Sequence, residues 1–226
     1  MTIDSLYDKM DKNNFYIGRI SQVYRDSSVA QVENLSLLLH RKFYKESLAP
    51  NTINYLVVVD SVRGIFLGEV FQTKVASSDN LHDSINYGKP EMVFPEINID
   101  IIGVMTHHDK KFKLPEFMTV GVSEKVYLAN RIVVRKYLES IEMTNSSEVP
   151  MQSFAKYLNM QEESVSLKPS TLFDHHLFAV GATNSGKSTS ALSILDKVIM
   201  SNKKVLIIDP TGEYKDSFPE QNIKKL

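Results

Sequence analysis

The chain of 226 residues contains no cysteine and no tryptophan. Without thiols there is no disulfide framework and no cysteine-based metal site. No segment is long and apolar enough to form a helix across a bilayer, so no membrane partner is expected, and residues 1–14 are too polar for a secretion signal. A cytoplasmic protein is the expectation. A net excess of either charge is lacking too. The net charge is −1 and no dense basic run occurs, whereas a self-sufficient nucleic-acid-binding domain carries a positive footprint. What remains is ordinary: 42% apolar and 23% charged residues, the balance of a globular chain with one large or two small domains.

The first part reads as β structure. Residues 15–23, 29–33, 55–60, 62–72, 98–105 and 119–128 are rich in Val, Ile, Phe and Tyr, which predicts strands. Gly18, Gly64, Gly68, Gly103 and Gly121 punctuate them, as bulges and corners do in a small barrel. Residues 74–97 read as an inserted loop, and Val134, Tyr137, Leu138 and Ile141 set a helical period over 129–142. The expected organisation is a barrel over 12–143, a linker over 144–170 with a short connecting helix at 151–158, and a different fold over 171–226.

That last part carries the chemistry. Leu177-Phe178-Ala179-Val180 is a short apolar strand signal, and Gly181-Ala182-Thr183-Asn184-Ser185-Gly186-Lys187-Ser188 completes the pattern G-x-x-x-x-G-K-[ST]. The glycines let backbone approach phosphate oxygens, and successive N–H groups form an anion nest at a helix N-terminus. Lys187 is placed for the β- and γ-phosphates, Ser188 for Mg²⁺ and Thr189 for the α-phosphate. Residues 177–189 therefore predict a site for ATP and Mg²⁺. Ala191, Leu192, Ile194, Leu195, Val198 and Ile199 give the stripe of the following helix, and Val205-Leu206-Ile207-Ile208 reads as a buried parallel strand. The fold class is thus α/β with an N-terminal β domain: a small β-barrel, then the opening β-α-β unit of a RecA-like P-loop NTPase core.

Asp209 and Glu213, in Asp209-Pro210-Thr211-Gly212-Glu213-Tyr214, are the candidate catalytic carboxylates. Two readings stand open: acids near the phosphates that hold Mg²⁺ through water, or a polar turn punctuated by Pro210 and Gly212. Leu56-Val57-Val58-Val59-Asp60 imitates a metal-orienting acid motif, but Ser61 stands where the catalytic acid belongs, so it reads as a barrel strand entering a turn. His107-His108 and His175-His176 do not chelate as pairs, since neighbours on a strand face opposite ways. His40-Arg41-Lys42-Phe43-Tyr44-Lys45 mixes basic and aromatic side chains, suited to nucleic acid but more commonly a solvated face with the aromatics turned inward.

The P-loop G-A-T-N-S-G-K-S and the later D-P-T-G-E-Y resemble the HerA group of HerA/FtsK translocases. Phe15-Tyr16-Ile17-Gly18-Arg19-Ile20, followed by short β segments, is similar to the small HAS-type barrel that precedes the ATPase core in HerA proteins. The resemblance implies a homo-oligomer, a hexameric ring that uses ATP to move double-stranded DNA with a nuclease or sirtuin-like effector, in DNA processing or anti-phage defence. His175-His176 stand about where that group often has an arginine. The second acid motif and the finger arginine that hydrolysis needs are not found after Tyr214. The expectation is therefore the N-terminal part of an ATPase that does not turn over ATP efficiently alone. Two other readings remain: a non-catalytic nucleotide-holding scaffold for an effector, and a secretion or conjugation ATPase.

Overall fold

The segments rich in Val, Ile, Phe and Tyr become strands in the first part of the chain. The computed structural model describes residues 2–8, 12–39, 41–43, 46–48, 52–75, 78–141, 152–157, 160–166, 168–173, 176–214 and 216–218. Its strands are β1 (Tyr16–Val23), β2 (Ser28–Val32), β3 (Arg41–Phe43), β4 (Glu46–Leu48), β5 (Tyr55–Ser61), β6 (Gly64–Lys74), β7 (Glu96–Met105), β8 (Lys125–Leu128), β9 (Ala155–Tyr157) and β10 (Met160–Val165). The helices are α1 (Lys12–Phe15), α2 (Ser78–Asn86), α3 (Arg131–Ile141), α4 (Pro169–Phe173) and α5 (Lys187–Met200). Two compact units result, Met1–Ile141 and Glu142–Leu226.

The first unit is a closed barrel in the order β1-β2-β7-β6-β5-β8, antiparallel at every joint. Closure leaves no strand edge to template aggregation. Ile17, Ile20, Val32, Val57, Phe66, Leu67, Ile97, Ile99 and Met105 are buried, each contributing about 1.5–3 kcal/mol by leaving water. Glycine marks irregularities of register: β1 shifts against β8 between Tyr16 and Gly18, and β6 against β7 between Leu67 and Gly68. At Gly18 a Cβ would stand 2.0 Å from the Gln31 carbonyl oxygen, so no larger residue fits while β1 and β2 stay paired. The acid-like run 56–60 lies in β5 and turns directly into β6, with Ser61 paired to Gly64, as its barrel reading required.

Before the barrel, Ile3, Leu6 and Tyr7 are buried. The Tyr7 hydroxyl donates to the Leu128 carbonyl at 2.7 Å, and its ring packs edge-on to Phe15 with centroids 5.3 Å apart. After the barrel, α3 occupies the expected helical stretch. Its N-cap is Asn130, whose Oδ1 accepts the Val133 N–H at 2.9 Å.

Several expectations need correction. Residues 74–97 are not a plain loop, since α2 and a 3-10 turn, Pro90–Met92, lie within them. Ser78, Asp79 and Asn80 open a helix instead of a turn, and Gly88, at φ 66°, closes it, while Ser77 lies outside the described residues. Of the strand expected over 119–128 only β8 is formed. Ser123 has φ 72°, and Glu124 accepts the Gly121 N–H at 2.7 Å, bending the chain ahead of it. Of the connecting helix expected over 151–158, residues 155–157 instead form β9, paired antiparallel with β10, while 151 and 158 lie outside the described residues. The aromatic and apolar residues of this stretch sit at spacings that a strand tolerates equally well. The basic-aromatic run places Arg41, Lys42 and Phe43 on β3, paired with β4, while His40, Tyr44 and Lys45 lie outside the described residues.

In the second unit α5 forms where its apolar stripe placed it. The apolar runs on either side are not ladder-paired strands among the described residues. Phe178, Val180, Leu206 and Ile208 are 82%, 90%, 76% and 83% exposed, so the expectation of a buried parallel strand at 205–208 fails. A parallel strand needs flanking strands and cover on both faces. Here α5 buries only Val198, too little cover to hold either run in a sheet.

Candidate phosphate-binding site

The loop 181–188 is built by backbone conformations that its sequence selects. Asn184 adopts φ 63° and Gly186 φ 85°, left-handed values that glycine takes freely and asparagine more readily than most residues. Between them the Ser185 N–H donates to the Ala182 carbonyl at 3.2 Å, closing a tight turn. A Cβ on Gly181 would come 2.5 Å from the Ser185 hydroxyl, so a larger residue there requires that side chain to turn aside.

Gly186 is also the N-cap of α5, and no side chain caps that helix. Its first N–H groups lack intrahelical carbonyl partners and carry the positive end of the helix dipole. The helix opens on Lys187 and Ser188, followed by the exposed Thr189. The Lys187 ammonium donates to the Ala182 carbonyl at 2.6 Å, folding back over the loop. Glycine geometry, an uncapped helix start and a cation over the turn together suit a polyphosphate.

The carboxylates separate by environment. Ser188 Oγ donates to Glu213 Oε2 at 3.1 Å. Asp209 faces its own turn: Oδ1 accepts from the Thr211 hydroxyl at 3.1 Å and the Gly212 N–H at 3.0 Å, and Oδ2 from the Tyr214 N–H at 2.9 Å. The Tyr214 N–H, followed by Thr211 and the N–H groups of Glu213 and Gly212, holds the Asp209 carboxyl below the usual range. Gly212 supplies the bend at φ 73°. Mg²⁺ is commonly held by one or two protein oxygens together with phosphate and water, and the Ser188–Glu213 pair suits that role without an all-protein cage. The contact joins positions separated by a whole helix, and no local pattern in the sequence marks it.

His107 Nε2 lies 3.1 Å from the Val62 carbonyl oxygen in the barrel unit. His176 is exposed, and His175 lies outside the described residues. Among the described residues no group of three or more His, Cys, Asp or Glu could hold a metal ion, and no helix is long and apolar enough to cross a membrane.

Residues 154–226 match the family described as Helicase HerA, central domain. No curated protein matches the chain.

Proposed function

We propose, from a segment 154–226 that belongs to the HerA-like superfamily, that the chain is the ATP-binding subunit of a DNA translocase or helicase. The observation that carries this reading is the left-handed turn at Gly186 opening α5 directly on Lys187 and Ser188, within the matched segment. In this reading the loop 181–189 holds ATP, with Lys187 on the β- and γ-phosphates and Ser188 on Mg²⁺.

The protein works as a homo-oligomer, a hexameric ring around double-stranded DNA, with a nuclease or sirtuin-like effector. Such a ring gathers weak local DNA contacts from several subunits, which a net charge of −1 per chain requires. The barrel serves assembly and effector docking. Val62, Leu114 and Phe117 on that unit are 89%, 78% and 98% exposed, side chains that such a partner would cover.

The test is ATP-driven movement of duplex DNA by the protein isolated from its native source with its partner. Wild type displaces a bound roadblock with ATP, whereas Lys187→Ala leaves it in place. Movement unchanged by Lys187→Ala refutes the motor reading.

A further inference from the structure

We propose that Glu213 is the carboxylate that orients the Mg²⁺ ligand Ser188, and that Asp209 is the residue that positions Glu213; this rests on the nucleotide-binding reading above. The two acids of the 209–214 segment are equivalent by sequence, and their surroundings separate them. Ser188 Oγ donates a hydrogen bond to Glu213 Oε2 at 3.1 Å. A hydroxyl so committed turns its lone pairs away from the carboxylate, and the charged acceptor raises its electron density. Both effects improve it as a ligand for a hard cation, as outer-shell acceptors do for metal ligands generally. The second carboxylate oxygen of Glu213 remains for water bound to the cation.

Asp209 is committed elsewhere. Its two oxygens accept from Thr211, Gly212 and Tyr214, so the N–H groups of the residues on either side of Glu213 are tied to one carboxylate. This fixes the backbone at Glu213 and aims its side chain at the start of α5. Asp209 is therefore a positioning residue, acting on the cation only through Glu213.

The experiment measures the affinity of a fluorescent ATP analogue for the intact chain, first in EDTA and then with Mg²⁺. Wild type binds in both buffers and tightens with Mg²⁺. Glu213→Gln keeps its EDTA affinity and loses on the order of tenfold of the Mg²⁺-dependent gain. Asp209→Asn loses a smaller part of that same gain, and Lys187→Ala loses binding in both buffers. Glu213 lies exposed, so the Gln variant keeps the fold, checked by an unchanged melting curve. Equal Mg²⁺-dependent tightening in Glu213→Gln and wild type overturns the inference and leaves nucleotide binding standing. No binding by wild type in either buffer overturns the reading and the inference together.

Discussion

The side-chain amide of Asn130 donates to the Leu6 carbonyl at 2.8 Å, while its Oδ1 caps α3 through the Val133 N–H at 2.9 Å. One buried side chain thus ties the N-terminal segment to the start of the helix that follows the barrel. Asn130→Ala removes the cap, worth about 1 kcal/mol, and strands a carbonyl in a buried site, costing about 1–3 kcal/mol. The expected loss is about 2–4 kcal/mol in urea unfolding of the chain. A loss below about 0.5 kcal/mol, the level of an ordinary surface substitution, would show that the bridge carries no stability.

Gly18 is constrained by space. A Cβ there meets the Gln31 carbonyl oxygen at 2.0 Å, backbone against backbone, so relief requires opening β1 from β2. Gly18→Ala should cost at least about 3 kcal/mol, the upper end for forced overpacking. Gly88 makes the opposite control: its φ is positive at 66°, but nothing lies within 4 Å of an added Cβ. Gly88→Ala should cost only about 1–2 kcal/mol of backbone strain. Equal melting temperatures for the two variants would contradict this account.

The Asp109 carboxyl is held down to about 2 by the Lys113 ammonium first and by Thr106 next, with Lys113 Nζ at 2.5 Å. Because the folded value lies below the unfolded one, near ~3.9, the contribution is present above that pH and fades as pH falls towards 2. In an NMR titration, Lys113→Ala should move the Asp109 midpoint up towards ~3.9. An unmoved midpoint would assign the depression to Thr106 alone.

The barrel was legible because its strands carry their own signal: β1, β5, β6 and β7 are rich in β-branched and aromatic residues and bounded by turn residues. The phosphate loop was legible for a related reason, since its glycines and the Lys-Ser pair act locally. What escaped the sequence depends on surroundings. Residues 78–86 open on polar residues that favour turns and helix starts alike, and β9–β10 is a pairing between segments that neither announces. The runs at 177–180 and 205–208 have strand composition, but strand formation needs neighbours. Likewise Ser188 and Glu213 meet only after α5 has folded between them.

The most direct measurement is calorimetric titration of the chain with ATP and Mg²⁺, wild type beside Lys187→Ala. The account predicts saturable binding at one site per wild-type chain, weakened at least tenfold, about 1.4 kcal/mol, by loss of the ammonium. Absence of wild-type binding, or identical isotherms for the two proteins, would contradict it.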